Sequence, residues 1–310
     1  WKTSLGAKPM KTNNGLLLID KPQGITSHDV VSRVRRALGE KRVGHAGTLD
    51  PMATGLLIIG VGPATRLIRF AQSEKKLYTG IVKLGSSTDS LDADGEVTGR
   101  ADVPELSLEI VQSCASSMLG TQQQIPPMVS AIKVGGKRLY EMAREGIEIE
   151  RAPREITISR FEVCPTESND EWNFVVECSV GTYIRVLLSD LAVRLGTLGH
   201  LTALRREASG HHSVKDAFTL DALKTLAENG TDVLRPPVDF VTGLETVSLN
   251  DEQERRVRMG QQIEIAQSFT SPEIAALDVS GQLVAILQPR GQLWKPELVL
   301  PDSSEGKLDS

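Results

Sequence analysis

Residues 44–55 read Gly44-His45-Ala46-Gly47-Thr48-Leu49-Asp50-Pro51-Met52-Ala53-Thr54-Gly55. Three glycines and a proline within twelve residues exclude an uninterrupted helix or strand. Whatever fold the chain adopts must therefore carry an irregular loop here, joining regular elements on either side. After the loop, Leu56 to Val61 is an apolar run of strand length. Before it, Thr26 or Ser27 can cap a helix running to about Leu38, with Val30, Val31, Val34 and Leu38 at helical spacing and Gly39 suited to a left-handed stop. The loop presents one His and one Asp, and loops held on a rigid scaffold are where binding and catalytic groups concentrate. An Asp before a Pro also simply starts turns, so on the residues alone the two readings stand level.

The rest of the chain alternates in the same way. Gly15-Leu16-Leu17-Leu18-Ile19 reads as a buried strand ended by Asp20-Lys21-Pro22. Pro63 can open a second helix, and Tyr78 to Leu84 is a further strand. Leu108 to Leu119 reads as helix. Residues 122–136 hold Pro126-Pro127 and Gly135-Gly136 and read as a loop or an excursion from the core, followed by a short helix over Arg138 to Arg144. Ile156 to Val163 and Trp172 to Val180 alternate as paired strands, and Thr182 to Leu195 is an amphipathic helix. A helix near Leu220 to Ala227 precedes Pro236-Pro237, a linker signal. Short strands follow from about Val247, with Ile274 to Asp278 and Leu283 to Leu287 split by Ser280-Gly281. The organisation is an extension or disordered N-terminus over 1–14, a mixed domain over 15–245 and a small β-rich module over 246–310 with a frayed tail.

Composition removes whole classes. With 40% hydrophobic and 24% charged residues and a mean hydropathy of -0.15, the 310-residue chain is neither disordered, collagen-like nor a coiled coil. The run from Leu56 to Val61 is far short of a membrane span, and Trp1-Lys2-Thr3-Ser4 has no apolar h-region, so a signal peptide is not expected there. Three cysteines without CxxC spacing argue against a disulfide framework and for a reducing cytoplasm. No His, Cys or carboxylate cluster has metal-ligand spacing, so no metal is expected. The net charge of -5, taken alone, argues against a nucleic-acid partner. It hides a division: residues 241–310 hold 6 Lys and Arg against 11 Asp and Glu, whereas residues 21–76 hold 10 against 4. A local basic face is what RNA binding needs.

The loop and its flanks resemble the bacterial tRNA pseudouridine synthase family of TruB type. The family's signature around its catalytic aspartate matches residues 44–55 nearly residue for residue. Asp20-Lys21-Pro22-Gln23-Gly24 matches its basic N-terminal motif. Lys76-Leu77-Tyr78, Leu84-Gly85, Thr88-Asp89 and Asp92-Ala93-Asp94-Gly95 match its tyrosine motif. Ile125-Pro126-Pro127, Ser130-Ala131-Ile132-Lys133 and Gly136-Lys137-Arg138-Leu139-Tyr140 match a third. Gly181-Thr182-Tyr183-Ile184-Arg185 matches another, as do Gly199-His200-Leu201 and Leu204-Arg205-Arg206. The last 60 or so residues resemble the family's PUA-like module only weakly.

The resemblance implies an α+β pseudouridine synthase fold: a mixed, largely antiparallel central sheet flanked by helices, plus a small β-rich PUA-like C-terminal domain. It implies isomerisation of uridine 55 in the T-loop of tRNA, by flipping the base out, with Asp50 as nucleophile and no cofactor. Arg185 matches an arginine paired with that carboxylate, which would keep its pKa low. Tyr78 matches a tyrosine that stacks on the flipped base or takes a proton. Asp50 attacks either the uracil ring or the ribose carbon. Tyr183 and Leu204 match substrate-contacting positions, and His45 the residue that fills the space the uridine leaves. Lys21, Lys133, Lys137 and Arg138 match RNA-binding positions, and 122–146 an insertion that closes over the RNA. A monomer is expected, with no guide RNA, obligatory protein partner or membrane. The C-terminal module is expected to aid binding, so that its loss weakens affinity and leaves chemistry largely intact. The same binding is compatible with help in tRNA folding. Three other readings are a non-catalytic RNA-binding protein, a guide-RNA-dependent synthase, and a phosphatase-like enzyme needing a second acid and Mg²⁺.

Overall fold

The computed structural model describes residues 13–72, 75–128, 133–134, 137–138 and 149–302. The two apolar runs pair with each other: β1 (Gly15–Lys21) lies antiparallel to β3 (Thr54–Val61), with Leu17 opposite Ile59 and Ile19 opposite Leu57. Both strands are apolar on both faces because both faces are covered. Leu17, Ile19, Leu57 and Ile59 pack under Val30, Val31 and Val34 of helix α1 (Ser27–Leu38) and Leu223. Leu16, Leu18, Leu56 and Ile58 face the other way. Helix α1 is as the sequence predicts, with Thr26 in a capping box with Asp29 and Gly39 left-handed at φ 64°.

Strand β2 (Val43–Ala46) pairs antiparallel with β3, so the irregular segment expected from Gly44 begins only at Gly47. The reason is packing. Gly44 pairs with Gly60 across the ladder, and Ile68 of helix α2 (Ile68–Gln72) lies where either Cβ would be. These glycines admit a helix onto a sheet rather than break the strand.

The remaining strands of the main sheet are β4 (Lys76–Leu84), β7 (Gly120–Gln124), β10 (Arg154–Pro165), β11 (Glu171–Cys178), β12 (Gly199–Ser209) and β13 (His212–Ser213). Two small pairs lie off it, β5 (Ser86–Thr88) with β6 (Val97–Arg100), and β8 (Lys133–Val134) with β9 (Lys137–Arg138). Among the described residues the main sheet has nine strands, in the order β1-β3-β12-β4-β11-β10-β7, with β13 on β12 and β2 on β3. It is antiparallel except where β12 runs parallel to β3. Helix α3 (Leu108–Ser116) and helix α4 (Ile184–Arg194) cover one face, burying Val111, Leu187, Leu188 and Leu191 against Phe161, Trp172, Phe174 and Val176.

Several sequence expectations need correction. Gln122 to Gln124, expected in the excursion, form part of edge strand β7, because they pair with Arg154 to Ile156. Arg138, expected to open a helix, pairs with Lys133 in a hairpin, and residues 139–144 lie outside the described residues. Asn13 and Asn14 are tied down rather than frayed: Asn13 Nδ2 donates to Leu38 O at 2.9 Å, and Asn14 Oδ1 accepts from Ala64 N at 2.9 Å.

Helix α5 (Leu220–Glu228) and a 3-10 turn at Pro237–Phe240 lead to the C-terminal sheet of β14 (Glu245–Ser248), β15 (Ile274–Leu277), β16 (Leu283–Arg290) and β17 (Leu293–Val299). The Pro236-Pro237 segment is not a loose linker. Arg235 and Leu16 exchange backbone hydrogen bonds of 2.8 and 2.9 Å. Helix α6 (Asp251–Arg258) inside this module was not anticipated; its capping box pairs Asn250 with Gln253. The module packs on the main sheet. Ala275, Leu283, Ile286, Leu298 and Leu300 share one buried cluster with Leu16, Leu18, Leu56 and Ile58.

Candidate active site

A cavity of about 560 Å³ opens between the loop after β2 and the N-terminus of α4. Its walls include Gly47, Leu49, Asp50, Gln72, Lys76, Tyr78, Arg154, Thr182, Tyr183, Arg185, Leu204 and Arg206. Four of the residues singled out in the sequence, Asp50, Tyr78, Tyr183 and Arg185, thus converge from three separate segments, and Leu204 joins them.

The loop carrying Asp50 is pinned from several sides. Leu49, Met52 and Ala53 are buried anchors. The Ser27 hydroxyl, at the start of α1, accepts from Leu49 N at 2.9 Å and donates to Leu49 O at 3.1 Å. Pro51 O accepts from Gly24 N at 2.8 Å and from the Lys21 ammonium at 3.3 Å. Lys21 also donates to Pro22 O and Ile25 O and has no exposed surface. Its expected role as an RNA-contacting cation is therefore corrected: among the described residues all its hydrogen bonds go to carbonyls that shape the loop. Burial, only partly opposed by Asp50, lowers its pKa to about 8.

Between these anchors Asp50 Oδ2 meets Arg185 Nε at 3.0 Å. Arg185 is 3% exposed, on the first turn of α4. Burying a guanidinium requires partners, and it has them: Nη1 donates to Ser90 O at 2.7 Å and lies 3.4 Å from Asp92 Oδ2. The arginine is thus bracketed by two carboxylates. Asp92, buried, is oriented by Ser90 Oγ on Oδ1 at 2.5 Å and Asp94 N on Oδ1 at 3.1 Å. Leu91 beside it adopts φ 63°, a conformation costly for a non-glycine residue.

Arg185 does not hold the Asp50 carboxyl low, contrary to expectation. Burial is the largest influence and raises it; Arg185 lowers it, Asp92 raises it and Lys21 lowers it. The Asp50 side chain keeps 38% of its surface open to the cavity, yet protein surrounds it and displaces bulk water. Burial likewise raises the Tyr78 phenol, opposed by Arg206. His45 sits on β2 opposite Ile59, half-buried, and does not line the cavity. Burial and then Arg206 lower its pKa, favouring the neutral ring. Lys133, Lys137 and Arg138 lie on the β8–β9 hairpin. Among the described residues no cluster of three His, Cys, Asp or Glu could hold a metal, and no helix is long and apolar enough to cross a membrane.

Sequence reasoning assigned no role to four residues that build this site: Ser27, Asp92, Gln124 and Arg206. Gln124, 6% exposed, grips the backbone of Tyr183 with both amide atoms, accepting from its N at 2.8 Å and donating to its O at 3.1 Å. Asp92 lies inside the Asp92-Ala93-Asp94-Gly95 motif, but no local pattern tells which of Asp89, Asp92 and Asp94 meets an arginine 93 residues away.

A half-buried aspartate paired with a buried arginine at the wall of a nucleotide-sized cavity, on a mixed sheet flanked by helices, fits a class of enzyme that acts on a polar substrate with a carboxylate. Residues 35–184 match the family model for the N-terminal domain of TruB family pseudouridylate synthases. The chain is 43% identical over 294 residues to a protein of Streptococcus pneumoniae (serotype 4) named tRNA pseudouridine synthase B, covering 92% of this chain and 99% of that one. It is 48% identical over 219 residues to a protein of the same name from Opitutus terrae, covering 71% and 90%. The chain belongs to the TruB family of pseudouridylate synthases, which are isomerases. The fold is shared with the chain matched in a Cbf5-Nop10-Gar1 complex, at a TM-score of 0.71 and 23% identity over 96% of this chain and 88% of that one.

Proposed function

We propose that this chain converts uridine 55 to pseudouridine in the T-loop of tRNA, with Asp50 as the nucleophile. The name shared by its relatives supports tRNA as the substrate class. The observation that carries the reading is the pairing of Asp50 Oδ2 with a buried Arg185 at the cavity wall. Arg185 holds one carboxylate oxygen, and among the described residues Oδ1 has no partner. A cavity of about 560 Å³ is in the range that takes a small molecule or a flipped nucleotide. Tyr78 and Leu204 would flank the base, Tyr183 would meet it from the α4 side, and the β8–β9 hairpin would present Lys133, Lys137 and Arg138 to RNA. The enzyme acts on bare tRNA, as a monomer, without guide RNA, metal or other cofactor.

Release of tritium from tRNA labelled at uridine C5 tests this reading. Asp50→Asn is expected to lower the rate by more than about a thousand-fold while tRNA affinity stays within a few-fold of the unmodified protein. Near-normal release would remove Asp50 from the mechanism. Activity of the purified chain on a transcript, with nothing added but buffer and salt, separates the stand-alone from the guide-dependent reading.

A further inference from the structure

Arg206 has the largest side chain fully buried among the described residues, at 1% exposed. Its neighbour on β12, Arg205, points the other way, as strand alternation requires, and forms a two-pronged pair with Asp20 at 3.0 and 2.8 Å. Arg206 has no such carboxylate among the described residues. Its guanidinium donates to two carbonyls, Nε to Leu56 O at 2.7 Å and Nη2 to Gly47 O at 3.0 Å. Carbonyls satisfy donors without neutralising the charge, and a buried unneutralised cation is costly.

The backbone around it is built to place it. Where β12 runs parallel to β3, Arg206 registers with Gly55. Gly55 has φ +100°, and a Cβ there would collide with Arg206 O. On its other side β12 is antiparallel to β4, and the residue directly opposite Arg206 is Tyr78. Cross-strand partners share a face, with Cβ atoms roughly 5 Å apart. Both side chains line the cavity, and the guanidinium faces the phenol oxygen, which it holds against the effect of burial.

We infer that Arg206 is a positioning residue: it fixes the Tyr78 hydroxyl at the cavity wall and, through Gly47 O, locks the loop that carries Asp50 to the same guanidinium. Nucleophile loop and phenol are then registered by one rigid group. This rests on the proposed roles of Asp50 and Tyr78.

A double-mutant cycle tests it. Arg206→Gln is expected to slow single-turnover pseudouridine formation by about 100-fold, the scale of a 1 Å misplacement at a reacting centre, with the tRNA Kd unchanged within about threefold. In a Tyr78→Phe background the same substitution costs under fivefold. The chain has three tyrosines, Tyr78, Tyr140 and Tyr183, so 13Cζ-tyrosine spectra give a second readout without substrate. The signal absent in Tyr78→Phe should move in Arg206→Gln and the other two should not. If Arg206→Gln does not fold, Arg206→Lys, which keeps the charge but not the planar fork, is carried through the same cycle and spectra with an intermediate loss expected. Additive effects on rate, or an unmoved Tyr78 signal in a folded variant, would overturn the inference. Failure of the underlying reading is separable, because it appears as an active Asp50→Asn, whereas the Tyr78 signal is independent of turnover.

Discussion

At the residue scale the site is a contest over one proton. Burial favours the neutral Asp50 carboxyl, and Arg185 and Lys21 favour the carboxylate. Nucleophilic attack needs the carboxylate. With Asp50 as the proposed nucleophile, protonation is expected to disable the enzyme as pH falls through a pKa that burial has raised. The single-turnover rate should rise with pH along a limb lying above the usual carboxylate range. Arg185→Gln removes the largest opposing influence, so its limb should shift to higher pH and its rate at neutrality should drop. A limb that stays put or moves to lower pH would contradict the assigned balance. Lys21 supplies a second residue-scale expectation. Because its donors hold Pro51, Pro22 and Ile25, Lys21→Met should reduce turnover and stability. It should leave the salt dependence of tRNA affinity unchanged, whereas a lost phosphate contact would reduce that slope by about one. Titrating binding against salt decides between them.

At the element scale, the loop's accuracy comes from α1 and β12 rather than from itself. Helix α1 was legible because caps and periodicity are local: Thr26, Asp29 and Gly39 all act within a turn of the ends they define. What that helix does for the site was not legible, since Ser27 reaches Leu49 22 residues away. Ser27→Ala breaks both bonds to Leu49 and leaves a buried amide unpaired, costing roughly 1–3 kcal/mol. It should lower both the melting temperature and the single-turnover rate, with tRNA affinity little changed. A thermal melt beside single-turnover kinetics checks this, and a destabilised variant with full rate would show the clamp to be structural only. Helix α6 shows the opposite lesson. Its signal, Asn250 three residues before Gln253 with acids first and arginines last, is present in the sequence, but one buried position, Val257, gives it almost no apolar stripe.

At the scale of the whole molecule, the C-terminal sheet completes the core. Ala275, Leu283, Ile286, Leu298 and Leu300 cover the face of β1 and β3 opposite α1, and Arg69–Glu273 at 2.6 Å ties the edge. Each fully buried Leu or Ile contributes roughly 1.5–3 kcal/mol. Deleting residues 246–310 should therefore lower the melting temperature sharply or yield insoluble protein, rather than leave chemistry intact with weaker binding. A truncated chain melting within a few degrees of the full chain would show the shared cluster to be dispensable.

What the sequence determined by itself was everything that depends on short range. The apolar runs implied buried strands, periodicity and caps located α1, and the family resemblance carried by the ordered motifs singled out Asp50, Tyr78, Tyr183, Arg185 and Leu204. Only the tertiary structure decided which charges meet. Lys21 turned inward to carbonyls while Arg205 paired with Asp20 and Arg206 went unneutralised into the core, although all three read alike as basic residues in motifs. Partner choice and desolvation are set by strand register and packing across more than 100 residues. A cation's environment, and with it the pKa of the carboxylate it serves, is a property of the folded sheet that no local pattern encodes.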